Sequence, residues 1–272
     1  MIRELLKKGW DMAVRHKVVV VLLFLYRLLW GFFLYRFVDS VATPILARYP
    51  ETHPNSDAAR LFLVEAQFRL LKTDLVNESL WLLGGLLLLR MLLTPLLNAG
   101  VFYSFHHATE EAGTRVLFGV RRVWKPVTLL YWAENALLLL PAVWLVPFAK
   151  DRFYSEPIIT DWLRDLSPYA LAWLVTGFLL HLLFQFMQFG AASGEGILNG
   201  LGLALRRALP LIGITLALLG IGLAVSATAW AVSTLWSGFI AVALHQAFYF
   251  VRSLLTLWTS ASQYQVWSGT EP

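Results

Sequence analysis

Residues 18–38 read VVVVLLFLYRLLWGFFLYRFV. A helix rises 1.5 Å per residue, so a run of this length is about 30 Å long, the thickness of a bilayer's hydrocarbon core. Only Arg27 and Arg36 interrupt it. A cleaved signal sequence has an apolar region of just 7–15 residues, so this stretch reads as a retained first span. Five more runs of the same kind follow: Leu80–Gly100, Val127–Ala149, Pro168–Phe189, Pro210–Val232 and Gly238–Thr259. Lipid cannot satisfy an open backbone, so each run is expected to be a helix. The predicted class is an all-α polytopic membrane protein with six transmembrane helices, a single domain over residues 1–272.

Composition agrees. Of 272 residues, 58% are hydrophobic and 14% charged, against about 45–50% and about 25% in soluble domains. Twelve Trp and nine Tyr suit the membrane–water boundary. The chain has no Cys, which excludes disulfides, thiolate metal sites and a thiol nucleophile. The net charge of +5 is not read as a nucleic-acid signal, because the basic residues sit beside the apolar runs, where they set membrane topology.

Those residues also predict orientation. One side collects Arg3, Lys7, Lys8, Arg15 and Lys17, then Arg115, Arg121, Arg122 and Lys125, then Arg206 and Arg207; eleven cations stand there against six acids. The other side holds seven against ten. The positive-inside rule places both termini in the cytoplasm. Residues 57–76, helical in propensity but too charged to span, predict an external helix.

The flanks before spans one, three and five look alike. Residues 6–17 read LKKGWDMAVRHK, 112–123 read AGTRVLFGVRRV and 197–208 read ILNGLGLALRRA. Gly9 aligns with Gly200, Ala13 with Gly119 and Ala204, and Arg15 with Arg121 and Arg206. Each segment is amphipathic and delivers cations to the mouth of an outgoing span, as an interfacial helix does. The even-numbered spans return and close on Gly100 and Gly190. The pattern predicts three hairpins as parallel repeats over 6–100, 112–190 and 197–260. With the Arg121–Arg122 and Arg206–Arg207 pairs and the two glycine turns, it resembles bacterial six-helix integral membrane proteins, including the membrane domain of some glycerophosphoryl diester phosphodiesterases. The resemblance implies a bacterial cytoplasmic membrane. That family's soluble catalytic domain has no counterpart here, so it implies no activity.

A charge at mid-bilayer costs roughly 2.5–3.5 kcal/mol on insertion scales, which makes intramembrane polar residues the candidates for function. Arg27, Arg90, Glu134, His181, Gln185 and Arg252 fall at similar depth, about 10–15 Å from the inner surface at 1.5 Å per residue. Arg36 lies near an outer end and can snorkel. One carboxylate cannot neutralise three guanidiniums. The expected layer therefore pairs Glu134 with one or two of the arginines, and its surplus charge favours an anion such as a lipid phosphate. The bland alternative is that the arginines reach headgroups and Glu134 bonds a neighbouring helix. Gly213, Ala217, Gly220 and Ala224 form a small-residue stripe suited to close packing in span five.

Catalytic motifs are incomplete. Glu110–Arg115 fits the E-E-x-x-x-R string of intramembrane CAAX proteases, but His181 and His245 lack the Phe at −4 and the Asn at +4 that would complete the set. His106 and His107 are adjacent, hence about 100° apart on a helix and poorly placed to share a metal. No H-E-x-x-H, nucleophile elbow or phosphate loop occurs. No catalytic residue, metal or cofactor is assigned. The expected function is a non-enzymatic scaffold or regulator of envelope partners that binds anionic lipid, with a small transporter as the alternative.

Overall fold

The computed structural model describes residues 2–46, 74–107, 114–155, 159–235 and 239–269. Among these the chain is helical throughout: α1 Ile2–Arg15, α2 Lys17–Leu46, α3 Asp74–His106, α4 Arg115–Leu139, α5 Ala142–Ser155, α6 Ile159–Ser193, α7 Ile197–Arg206, α8 Ala208–Leu235 and α9 Phe239–Ser268. The external helix expected over 57–76 and the Glu110–Arg115 string fall largely outside the described residues.

Among the described residues five stretches are long and apolar enough to cross a membrane: Lys17–Ser40, Trp81–His106, Arg115–Arg152, Arg164–Ser193 and Ala208–Val232. At most 22% of the most apolar window of any of them is buried within the protein. Leu129, Val143, Leu171, Leu174 and Trp230 are among the exposed side chains. Apolar surface on that scale belongs to an integral membrane protein. The sixth expected run, Gly238–Thr259, begins at the edge of the described residues and continues as α9 from Phe239; the five stretches, counted among the described residues, do not include it. The third run is not one continuous helix. Pro141 has no N–H to donate, and the chain breaks there between α4 and α5. Trp173 of α6 donates its indole N–H to the Leu138 carbonyl at 2.8 Å, supplying a donor beside the break, as a membrane interior requires.

The chain forms two compact units, Val21–Thr94 and the remainder. In the first, Tyr26 of α2 bonds Thr94 of α3 at 2.7 Å, and Thr94 donates to the Arg90 carbonyl. The larger unit concentrates its core at one end, where α3, α6 and α9 finish. Phe102 meets Phe189 edge-on at 4.8 Å, Phe189 meets Tyr264 at 5.5 Å, and Tyr264 meets Trp267 at 5.3 Å. Val127 of α4 and Leu211 and Ile214 of α8 complete this core, all three buried.

Three amphipathic segments form a collar at the same end. α1 lies on the last turns of α9, where Trp258 donates to the Leu6 carbonyl at 2.9 Å and stacks edge-on with Trp10 at 5.0 Å. The start of α4 lies on the end of α3, and α7 lies on the end of α6. A Cβ at Gly9 would overlap Ser262, one at Gly119 would overlap Tyr103, and one at Gly200 would overlap the Phe186 backbone. Ala13 and Ala204 are fully buried beside these contacts. The α6–α7 turn needs φ +101° at Gly196, whose N–H bonds the Gly190 carbonyl at 3.1 Å; glycine reaches that backbone region without strain. The span-five stripe is only partly used. Gly213 faces Ile2 of α1, whereas a Cβ at Gly220 would meet nothing within 4 Å.

Candidate functional site

Glu134 projects from α4 toward α6, and its carboxylate lies 2.7 Å from Nδ1 of His181. The glutamate side chain is 13% exposed and the histidine 60%. The acid is thus shielded and its partner open to the surroundings. The sequence reading paired Glu134 with an arginine, or alternatively with a neighbouring helix; the partner found is the imidazole of His181 on α6. Arg252 is exposed on α9, and among the described residues no ion pair joins it to an acid. Arg27 is half-buried and Arg90 exposed, both in the Val21–Thr94 unit.

Gln185 lies one helical turn beyond His181 on α6 and is buried. It donates to Gln263 Oε1 of α9 at 2.8 Å, Gln263 donates to Thr215 Oγ1 of α8 at 3.0 Å, and Thr215 donates to the Leu211 carbonyl at 2.8 Å. A run of hydrogen bonds therefore ties three helices together inside the core. Gln185 Oε1, Gln188 Oε1 and Ser262 Oγ are buried beside it without a partner, so the layer keeps unused hydrogen-bonding capacity.

Nearer the collar, Tyr264 bonds Nδ1 of His106 at 3.1 Å. Burial, and then the negative charge of Glu195, push the Tyr264 phenol up to about 12. Arg207 donates from one nitrogen to the Val266 and Gly269 carbonyls at 2.6 and 2.7 Å. It caps the end of α9, where carbonyls lack helical donors, so this arginine is already engaged.

No family model, curated protein or solved structure matches the chain. Function therefore has to be argued from the site alone. Among the described residues no group of three His, Asp or Glu is placed to hold a metal ion. Sequence reasoning missed Gln263, Thr215 and His16. His16 lies between α1 and α2, its Nδ1 2.8 Å from the Met12 carbonyl and its Nε2 3.1 Å from that of Ser104. A singly protonated ring can donate to one of these oxygens, and a doubly protonated ring to both. The available signal is the Arg15-His16-Lys17 string at the mouth of span one, whose two cations serve in the sequence as topology markers.

Proposed function

We propose that the chain is a non-enzymatic membrane protein that scaffolds or regulates partners and holds anionic lipid at its basic face. In this reading α9 is the sixth span, its 30 residues making about 45 Å of helix. The spans pair as three hairpins, with both termini in the cytoplasm of a bacterial inner membrane. The observation that carries the proposal is the collar. Its segments turn glycine and alanine inward and leave Arg3, Lys7, Lys8, Arg121, Arg122, Lys125 and Arg206 exposed. Each such cation contributes about 1 kcal/mol near an anionic leaflet.

The collar also supports the threefold repeat over 6–100, 112–190 and 197–260. Gly9 and Gly200, aligned in sequence, each sit where a backbone crosses closely, and α1 takes on α9 the place that α7 takes on α6. Purification in mild detergent with lipid identification tests the function. Anionic phospholipid should be enriched over the bulk membrane, and Arg121→Glu/Arg122→Glu/Lys125→Glu should reduce the enrichment. A lipid profile identical to the bulk membrane refutes the proposal.

The Glu134–His181 pair favours a second reading, a small transporter that moves protons with its substrate. Glu134→Gln removes the titratable carboxylate. Undiminished proton-coupled flux of that variant in proteoliposomes would eliminate the pair from such a role.

A further inference from the structure

A cavity of about 230 Å³ opens where α1 passes into α2 and where α3 ends beside the start of α4; Arg15, His16, Lys17, Val18, Ser104 and Arg115 line it. Three of the candidate spans begin or end at these residues: Lys17–Ser40, Trp81–His106 and Arg115–Arg152. The cavity therefore lies at the boundary between hydrocarbon and headgroups. Among the described residues its lining carries three cations and no carboxylate, and none of the three is paired with an acid. Nε of Arg115 is buried without a hydrogen-bond partner. A buried guanidinium donor left unpaired costs free energy that an incoming acceptor would recover. The first turn of α2 adds backbone N–H groups at Lys17 and Val18, and the positive end of a helix favours an anion.

Size narrows the ligand. Pockets for drug-sized molecules run about 300–1,000 Å³, so this one fits a small group such as a phosphate. The cavity's borders narrow it further. Val14 and Val18, which flank Arg15–Lys17 in the chain, and Leu117 and Phe118, which follow Arg115, are all exposed, which offers apolar surface for acyl chains next to the cationic pocket. We propose that Arg15, Lys17 and Arg115, with His16 fixing the junction, form a phosphate site that takes the headgroup of a phospholipid with an exposed phosphomonoester. The assignment rests on the anionic-lipid reading above and gives it one defined, saturable site.

The test uses the full-length protein in neutral detergent, with phosphatidic acid, phosphatidylcholine and inorganic phosphate as probes. Thermal stabilisation and native mass spectrometry read occupancy. Phosphatidic acid should bind saturably at one equivalent, phosphatidylcholine should not, and Lys17→Gln or Arg115→Gln should each weaken binding at least tenfold. Lys17 is exposed, so its variant remains informative should Arg115→Gln fail to fold. Inorganic phosphate binding as tightly as phosphatidic acid keeps the phosphate site but overturns its assignment to lipid. If both cavity variants bind like wild type while Arg121→Gln/Arg122→Gln abolishes binding, the cavity is refuted and the basic collar stands. Failure of the wild-type protein to take any anionic lipid ends both.

Discussion

At the scale of single residues, the polar layer behaves as a connected unit. Gln263 is both acceptor from Gln185 and donor to Thr215. Gln263→Leu should strand the Gln185 amide, at about 1–3 kcal/mol, whereas Thr215 keeps its own bond to the Leu211 carbonyl. Gln185→Leu/Gln263→Leu removes one stranded amide and should lose less than the two single changes together, a coupling that a double-mutant cycle in detergent unfolding would measure. Additive losses would mean that the bond contributes nothing. Tyr264 supplies a pH test. Its phenol is raised to about 12 from about 10 in the unfolded chain. Between these values the unfolded state has released a proton that the folded state retains, so stability is intact below pH 10 and falls as pH rises toward 12. Tyr264→Phe should flatten that decline in the alkaline branch of the melting curve. Glu134, His181 and Gln185 were legible because each is a polar side chain in an apolar run. The partner of Glu134 was not, since depth can be counted along a helix while its rotation depends on packing. Gln263 and Thr215 escaped notice, one past a span's end and the other too ordinary in composition.

The elements repeat that contrast between pattern and packing. The amphipathic segments were readable from the spacing of apolar and basic residues, and α1 and α7 form where expected. What they rest on was not readable, because no local signal links Gly9 to Ser262 across the length of the chain. The break at Pro141 was passed over for a related reason: hydropathy sees an apolar proline as span, whereas the missing N–H acts only on the helix ladder. Two glycines with similar neighbours make the packing testable. Gly200→Ala puts a Cβ into the Phe186 backbone and should destabilise the α6–α7 contact by about 1–3 kcal/mol, the usual cost of overpacking. Gly220→Ala finds open space and should gain about 0.5–1 kcal/mol from helix propensity. Opposite shifts in melting temperature are expected. Equal shifts would mean that α7 is not seated as described.

For the whole molecule, the proposed even number of crossings draws its support from the contact between α1 and α9. α1 seats on the final turns of α9 through Trp258 and Ser262. Thr215, in the second turn of α8, bonds Gln263 near the end of α9. α8 thus leaves the collar and α9 comes back to it, which supports the proposal that both ends lie on one face of the membrane and that the chain crosses it an even number of times. The sequence itself reads six apolar runs, the last of them Gly238–Thr259 with His245, Gln246 and Arg252 inside it; among the described residues five stretches qualify by length and apolarity, and the crossing by α9 belongs to the proposed function. The natural absence of Cys gives a clean background for a test. Single cysteines replacing Lys8, Arg206 and Ser268 should react with a membrane-impermeant maleimide only in inside-out vesicles, and one replacing Lys150 only in right-side-out vesicles. All four positions are exposed, so poor access to the side chain does not explain a negative result. Labelling at Ser268 from the side opposite to Lys8 would require an odd number of crossings, and with it the loss of the α1–α9 contact on which the collar depends.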